Sequence, residues 1–279
     1  MQQQRVASTQ VLKKRDQKIE LKEDLLAAEE PLEIRLIYGA ENERKEKSIA
    51  VTMRTPGHDF ELALGFLFTE GVIKSYKDIH GIKHCLQVKS QAEMGNVVKV
   101  SLQPETIFDQ KKLNRNFYTT SSCGVCGKGS IEALQFSCNS ISSDLKISEQ
   151  TLMDAPDKMR KEQAIFEHTG GLHAAALFNA DGEIVMLRED IGRHNALDKL
   201  IGAALSTDEV PLTNHFAVVS GRIGFELVQK SIAAGLPILG AVGAPSSLAV
   251  ALAKEYNLTI AGFIKNGNYN IYTGEERIV

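Results

Sequence analysis

The second half of the chain alternates short apolar runs with longer segments of helical periodicity, and this pattern constrains the fold more than any other feature. The strand-like runs HFAVVS and LPILGAVG stand on either side of GRIGFELVQKSIAAG, which has the length and periodicity of a helix. Strands that alternate with helices of about 10 to 15 residues are typical of a parallel sheet with helices on both faces. We therefore predict an α/β C-terminal lobe with a mostly parallel mixed sheet covered by helices.

Five other segments complete this lobe. GLHAAALFNADGEIVMLRED predicts two strands joined by the turn Asn179-Ala180-Asp181-Gly182, because Asp-Gly tolerates positive φ. IGRHNALDKLIGAAL and SSLAVALAKEYN predict helices, the second with Ser246 or Ser247 as its N-cap. LTIAGFI and NIYT predict the last two strands.

The first half of the chain has a more antiparallel character. EIRLIYG, SIAVTMRTP and residues 97–102 predict strands, and HDFELALGFLFTEGVI predicts an apolar segment with Asp59 as a helix cap. Residues 1–30 are polar and mixed in charge, which predicts a loose tail. The expected organisation is a tail (1–30), a smaller α+β lobe (31–115), a flexible loop (116–130) and the α/β lobe (131–279).

The overall charge and the lengths of the apolar runs indicate which partners and which compartment to expect. Lysine and arginine number 32 against 35 acidic residues, and no basic block suggests a nucleic-acid-binding face. No signal peptide or membrane-spanning run of about 18 to 20 apolar residues is present in the sequence. We expect a cytoplasmic protein without membrane association. In a reducing compartment, four cysteines favour chemistry or metal binding over a disulfide framework.

The pair Cys123 and Cys126 in SSCGVCG allows three chemistries. Nearby glycines and Lys128 favour the thiolate form, which suits a reactive thiol that carries sulfur. A zinc site formed with His168 and His173 is possible by ligand count, although 41 residues separate the two pairs. A disulfide oxidoreductase is the third reading, and the polar residues before the pair argue against it. The other two cysteines, Cys85 and Cys138, are predicted to be buried structural thiols.

Three segments of the C-terminal lobe have the residues that an anionic ligand needs. REDIGRHNALDK contributes Arg188, Arg193 and His194, VVSGRIGFE contributes Arg222, and FIKNGNYNIYT contributes Lys265. Helix amides and basic side chains meet where a strand leads into a helix, and α/β sheets bind ligands there. For REDIGRHNALDK the alternative is a buried charge network that fixes the two lobes together.

Taken together, SSCGVCG, HTGGLHAAAL, REDIGRHNALDKLIG, SGRIGFELVQKSIAAGLPIL and GFIKNGNYNIYT resemble the FdhD/NarQ family of formate dehydrogenase accessory sulfurtransferases. TPGHDFELALGFLFTEGVI is similar to the family's N-terminal half, so the resemblance covers roughly residues 30–279. It implies a carrier that accepts sulfur from a cysteine desulfurase as a cysteine persulfide. The carrier then passes this sulfur to the molybdenum cofactor Mo-bis(molybdopterin guanine dinucleotide), or Mo-bisMGD, before insertion into formate dehydrogenase.

The resemblance also implies roles for individual residues, a homodimer and a C-terminal lobe similar to cytidine deaminase. Cys123 corresponds to the persulfide residue, with Cys126 as a helper thiol. The cofactor-binding segment corresponds to Phe263, Ile264, Lys265, Asn266, Gly267 and Asn268. Family members often have a second basic residue where this chain has Asn268, so Lys265 or Arg222 is expected to supply the charge. Deamination is not implied, because the chain has neither Pro-Cys-x-x-Cys nor His-x-Glu, and no permanently bound metal is expected.

Overall fold

The computed structural model describes residues 4–15, 18–86, 90, 93–106, 117–118 and 138–279. These residues form an N-terminal ribbon of two strands, a five-stranded sheet and a six-stranded sheet. The predicted loop at 116–130, apart from the backbone of residues 117–118, lies outside the described residues. Among the helices of the described ranges, none combines the length and apolarity that crossing a membrane requires.

The first 30 residues contain two strands, so the prediction of a loose tail was wrong. β1 (Val6–Arg15) and β2 (Lys18–Ala27) pair antiparallel, with Leu12 opposite Leu21. The polar composition conceals an alternating pattern, because Leu12, Ile19, Leu21 and Leu25 all fall on one face of the ribbon. Period-two alternation favours a strand even where most of the residues are charged.

The five-stranded sheet has the order β5-β6-β3-β4-β7. Its strands are β3 (Glu30–Tyr38), β4 (Lys45–Arg54), β5 (Ile79–His84), β6 (Val97–Leu102) and β7 (Phe117–Tyr118). Helix α1 (Asp59–Thr69) packs on this sheet through buried leucines, and the predicted strands are confirmed. The prediction that Asp59 caps α1 was wrong. Asp59 is the first helical residue, and its buried carboxylate binds Arg54 at 2.9 and 3.0 Å.

The six-stranded sheet has the order β13-β12-β11-β10-β8-β9. Its strands are β8 (His173–Phe178), β9 (Ile184–Asp190), β10 (Phe216–Val219), β11 (Ile238–Ala241), β12 (Thr259–Lys265) and β13 (Asn268–Thr273). Only the pairs β10–β11 and β11–β12 are parallel, and the other three are antiparallel. The mixed α/β class is confirmed, but "mostly parallel" was wrong because tight hairpins join β8 to β9 and β12 to β13. The likeness of this lobe to cytidine deaminase stays a prediction.

Helices cover both faces of this sheet. Helix α2 (Glu149–Glu162) packs on one face, and the short helix α3 (Ala164–Thr169) follows it. Helices α4 (Arg193–Ser206), α5 (Phe225–Ala233) and α6 (Ser247–Glu255) pack on the other face. Helix α6 has the predicted N-cap, because the hydroxyl of Ser246 accepts from the amide of Ala249 at 3.3 Å.

The two lobes meet where α1 crosses α4. Gly65 of α1 faces Gly202 of α4, and a Cβ at either glycine would collide with a backbone carbonyl of the opposite helix. The two helix backbones therefore touch directly. This close approach fixes the orientation of the N-terminal lobe against the C-terminal sheet.

Candidate functional site

The polar motifs of the C-terminal lobe meet at one edge of the six-stranded sheet. Strands β10, β11 and β12 run parallel and end together there. Backbone hydrogen bonds join the segments that follow, from the amide of Gly243 to the carbonyl of Gly221 and from the amide of Phe263 to the carbonyl of Gly243, each at 3.2 Å. We call this region the carboxyl edge. Ligands of α/β sheets bind beyond the carboxyl ends of parallel strands.

Two glycines of the carboxyl edge lie close to neighbouring groups, and the contact at Gly243 leaves no room for a side chain. A Cβ on Gly221 would lie 3.2 Å from Nδ1 of His173, and a Cβ on Gly243 would lie 2.9 Å from the carbonyl oxygen of Gly221. His173 and Arg193 both flank Gly221, so residues far apart in the sequence share this spot. The missing side chains let the turns after β10 and β11 approach each other and the imidazole.

A cavity of about 850 Å³ opens beside the carboxyl edge. One wall is helix α2 and the segment after it, and the opposite wall is the turn between β12 and β13. Four predicted cofactor-binding residues line it, and they are Ile264, Lys265, Asn266 and Gly267. His173 and Ser220 also line it, which connects the cavity to the carboxyl edge. A cavity of this volume is in the range of small-molecule and cofactor sites.

The other two residues of the predicted segment lie outside the cavity wall. Phe263 has φ +55°, a left-handed conformation that is rare for a bulky residue, and 48% of its side chain is exposed at the carboxyl edge. Asn268 donates from Nδ2 to the carbonyl of Asn266 at 3.0 Å and so closes the turn that carries Asn266 and Gly267. Asn268 thus supports the turn, and Lys265 is the member of this segment that brings positive charge to the cavity.

Gln163 is a feature of the cavity that the sequence did not reveal. It joins α2 to α3, is only 3% exposed, and lines the cavity. Its Nε2 has no hydrogen-bond partner among the described residues. Buried amide donors are nearly always paired in folded proteins, so an unpaired one in a cavity wall is suited to a ligand acceptor. Gln163 lies in the polar run KEQAIFEH, where nothing distinguishes it from a surface glutamine.

The wall that α2 forms was also not predicted from the sequence. Asp154, Asp157 and Arg160 of α2 all line it. The cavity is therefore not uniformly basic, because two aspartates line it together with Lys265. A ligand that presents both hydrogen-bond donors and negative charge matches this lining.

The two histidines of the site are not cationic at neutral pH. Burial lowers the pKa of His194 to about 3, and the positive charges of Arg193 and Lys230 act in the same direction. Nε2 of His194 lies 3.2 Å from a carboxylate oxygen of Glu226, and at neutral pH this is a polar contact and not an ion pair. Burial and Arg193 also lower the pKa of His173. His194 therefore brings a neutral imidazole and no positive charge, and its role as a cofactor-binding residue stays a prediction.

Arg188 does not belong to the ligand site, although it was predicted there. Its guanidinium donates to both carboxylate oxygens of Glu61 in α1, with Nη2 2.9 Å from Oε1. Burial alone would raise the pKa of Glu61, but hydrogen bonds from His58 and Arg188 outweigh it and lower the pKa to about 2. Arg188 therefore joins the two lobes.

The rest of REDIGRHNALDK is divided between the lobe junction and the ligand site. Lys199 is fully buried, lies 2.7 Å from a carboxylate oxygen of Asp190, and donates to the carbonyl of Thr55 at 2.9 Å. Lys230 lies 2.8 Å from both carboxylate oxygens of Asp198 in the same junction. The alternative of a buried charge network is thus confirmed for this part of the motif. Arg193 and His194 are the members that reach the carboxyl edge.

The predictions for the cysteines have different outcomes. Cys123 and Cys126 lie outside the described residues. Cys85 is buried as predicted, whereas Cys138 is exposed, so that prediction was wrong. His168 is exposed on α3 and His173 lines the cavity. Within the described ranges, no cluster of three metal-binding side chains occurs, so the zinc alternative gains no support.

Comparisons with known proteins agree with the resemblance noted in the sequence. Three relatives carry the name sulfur carrier protein FdhD. The Streptomyces coelicolor protein is 46% identical over 272 residues, covering 96% of this chain and 94% of its own. The Mycolicibacterium paratuberculosis protein is 49% identical over 258 residues, covering 91% and 92%. The Saccharolobus solfataricus protein is 44% identical over 255 residues, covering 91% of each chain.

A crystal structure from Desulfotalea psychrophila has a similar fold, with a TM-score of 0.74 at 24% identity over 98% of this chain and 99% of the other. That protein is described as a candidate formate dehydrogenase accessory protein. The model of the FdhD/NarQ family matches residues 27–279, which include both sheets, the carboxyl edge and the cavity. The chain belongs to the FdhD/NarQ family.

Proposed function

We propose that this chain is a sulfurtransferase that carries sulfur for formate dehydrogenase. It accepts sulfur from a cysteine desulfurase as a persulfide on Cys123 and delivers it to Mo-bisMGD before the cofactor enters formate dehydrogenase. Family membership and the names of the relatives support the sulfur-carrying role. Cys126 is the helper thiol of this proposal.

One observation carries the proposal: residues that are far apart in the sequence line a single cavity, which opens beside the carboxyl edge. His173, Ser220 and Lys265 come from three separate strands or strand ends and line the same cavity. Arg222 follows β10 on the carboxyl edge and is exposed. Mo-bisMGD is large and carries several phosphate charges, so it needs basic groups spread over an extended surface. The exposed ring of Phe263 offers a face on which a flat heterocycle can stack.

The acidic wall of the cavity suits the guanine end of that cofactor. Guanine presents N–H donors on its Watson–Crick edge and a carbonyl acceptor beside them. Asp154 and Asp157 are acceptors on the α2 wall, and Gln163 has a buried amide donor without a partner there. The base would occupy this wall, and the phosphates would extend toward Lys265 and the carboxyl edge.

The first chemical step is an exchange of one sulfur atom. The Cys123 thiolate attacks the outer sulfur of the persulfide on the desulfurase cysteine. A new S–S bond forms as the old one breaks, and the desulfurase cysteine leaves as a thiolate. No electrons are gained or lost overall. The step needs an accessible thiolate, which Lys128 and the neighbouring glycines favour.

Mass spectrometry tests the carrier role. After incubation with a cysteine desulfurase and cysteine, the peptide that contains Cys123 should gain about 32 Da, the mass of one sulfur atom. The gain should disappear in Cys123→Ala and on treatment with a reductant. An unmodified Cys123 in the wild type, with sulfur elsewhere or nowhere, would contradict the proposal.

Binding of GDP tests the cofactor site separately. Lys265→Ala should weaken GDP binding about tenfold or more, because a hydrogen bond to a charged group is worth about 1.5 to 3 kcal/mol. Lys254→Ala is the matched control, since Lys254 is exposed on α6 and does not line the cavity. Asn268→Arg should tighten binding by adding a second cation to the turn. Equal affinities for the wild type and Lys265→Ala would contradict the placement of the phosphates.

The partners and the compartment follow from the same proposal. A cysteine desulfurase, formate dehydrogenase and a second copy of this chain are the expected protein partners, with a guanine nucleotide as the ligand that mimics the cofactor. A cytoplasmic location and the lack of a resident metal stay predictions.

A further inference from the structure

The N-terminal ribbon is a separate two-stranded sheet. Within the part of the chain that the structure describes, β1 and β2 pair only with each other, and no backbone hydrogen bond reaches the outer edge of either strand. The family match begins at residue 27, so nearly all of the ribbon precedes it. The ribbon is anchored at its base, where β2 packs on α3 and Nε of Arg5 donates to the carbonyl of Pro56 at 3.2 Å. The strand edges beyond this base have no partner strand among the described residues, and such edges are templates for another strand.

One face of the ribbon is apolar and exposed. Leu12 and Leu21 lie directly opposite each other and are 72% and 63% exposed. Ile19 lies on the same face of β2 and is 64% exposed. Single exposed leucines are common on protein surfaces, but these three are neighbours on one small sheet. The ribbon therefore has apolar surface that a partner could cover.

The opposite face of β2 carries charges that alternate in sign. Lys18, Glu20, Lys22 and Asp24 follow at every second position and so project from one face of the strand. Residues 18–23 are exposed, and Nζ of Lys22 lies 2.7 Å from Oε2 of Glu20, an exposed pair that can exchange partners. Asp24 is half-buried beside Lys13 of β1, with Nζ of Lys13 3.1 Å from Oδ1. Alternating charges along an unpaired edge can match an antiparallel copy of the same strand.

We propose that the outer edge of β2 pairs antiparallel with β2 of a second copy of this chain, about a twofold axis at Leu21. Lys18 then lies opposite Asp24 of the partner subunit, and Glu20 lies opposite Lys22 of the partner subunit. The twofold axis repeats each pair, which gives four pairs of opposite charge. The two ribbons become one four-stranded sheet with order β1-β2-β2-β1 and an isologous interface.

The charge pattern selects this register over its neighbours. A shift of the axis to Glu20 places Lys18 opposite Lys22 of the partner subunit, and a shift to Lys22 places that lysine opposite its own copy. Like charges directly opposite each other are destabilising. A shift of the register by one residue, which moves the axis to a point between two residues, would join the apolar face of one ribbon to the polar face of the other. At Leu21 the apolar face instead gains a continuous row in which Leu12 and Leu21 of each copy lie side by side.

The position of the ribbon places this interface near the candidate site. Ala27 at the end of β2 lies 3.8 Å from the point where a Cβ of Gly171 would stand, and Gly171 lines the cavity. Antiparallel pairing through β2 would therefore place the two cavities of the assembly near opposite ends of one shared sheet. This inference rests on the proposed function in one respect, the second copy of this chain as a partner, and it names the surface through which the two copies pair. No step of sulfur transfer uses that surface.

Charge exchange on β2 tests the proposal. The acidic variant is Lys18→Glu with Lys22→Glu, and the basic variant is Glu20→Lys with Asp24→Lys. Each variant alone should lose the dimer at concentrations where the wild type is dimeric, measured by sedimentation velocity. An equimolar mixture of the two should form a heterodimer, detected by native mass spectrometry from the mass difference. The matched control, Lys14→Glu with Arg15→Glu on β1, should stay dimeric.

Three results would overturn the proposal. They are a monomeric wild type, dimers that persist in both β2 variants, and a mixture of the two variants that stays monomeric. Because misfolded ribbons would not recover on mixing, the heterodimer separates a lost interface from lost structure. GDP binding by the monomeric variants should equal that of the wild type, which keeps this test independent of the proposed function.

Discussion

The lobe junction and the carboxyl edge use the same kinds of residue for opposite purposes. At the junction, Lys199 and Lys230 are buried and bind buried carboxylates at 2.7 and 2.8 Å. At the carboxyl edge and its cavity, Arg222 and Lys265 are exposed, and buried Gln163 has no partner for Nε2 among the described residues. The difference shows that burial together with completed pairing distinguishes charges that hold the fold from groups that can take a ligand.

The junction depends on partners that compensate for burial. Burial lowers the pKa of Lys199, and the carboxylate of Asp190 opposes that effect. Asp190 also accepts hydrogen bonds from the amide of Thr55 at 3.2 Å and from Nδ2 of Asn195 at 3.1 Å. Loss of one member would leave the others buried without compensation.

The largest expected effect is at this buried pair. Lys199→Met should lower the free energy of unfolding by about 3 to 5 kcal/mol, because it leaves the carboxylate of Asp190 buried without its counter-charge. Chemical denaturation measures the change. Lys254→Met is the matched control and should stay within about 0.5 kcal/mol of the wild type, since Lys254 is exposed. Equal stability of Lys199→Met and the wild type would break the contrast between the two regions.

A somewhat smaller effect is expected where the helices of the junction touch. In an ordinary helix interior, Gly→Ala stabilises by about 1 kcal/mol. Gly202→Ala should instead destabilise by about 3 kcal/mol, the upper part of the overpacking range, because the new Cβ meets the carbonyl of Glu61 in α1. Gly81→Ala is the control, since a Cβ at Gly81 would meet none of the described residues within 4 Å, its chain neighbours aside. A stabilised Gly202→Ala variant would show that α1 and α4 do not touch in this way.

The smallest effect on stability is expected in the cavity wall. Gln163→Met removes a buried amide whose Nε2 has no partner in the described part of the chain, so the ligand-free protein should change by less than about 1 kcal/mol, toward higher stability. GDP binding should nevertheless weaken. Thermal unfolding with and without GDP measures both quantities. A strongly destabilised variant would place Gln163 with the residues of the junction, and unchanged GDP binding would remove it from the site.

The sequence predicted individual strands, helices and turns better than the contacts between them. Apolar periodicity was sufficient for β6 and α4, and the Asp-Gly pair for the turn at residues 179–182, because each depends on its own residues. The sequence carries no local sign that Arg188 binds Glu61, which lies in the other lobe. The wall formed by α2 was missed for the same reason, since its polar residues resemble any solvated helix face. The residues at the ends of β10 and β12 could be named as candidates because Gly and basic residues at strand ends are typical of anion sites in α/β sheets.

The central claim is that sulfur on Cys123 is delivered to a cofactor held at the cavity and the carboxyl edge. The direct measurement loads wild type and Lys265→Ala with sulfur through a desulfurase, adds Mo-bisMGD, and follows the mass of the Cys123 peptide with time. We predict equal initial loading of both proteins. The added mass of about 32 Da should then be lost faster from the wild type than from Lys265→Ala. A wild type that keeps the added sulfur when the cofactor is present, or equal rates of loss from both proteins, would contradict the account.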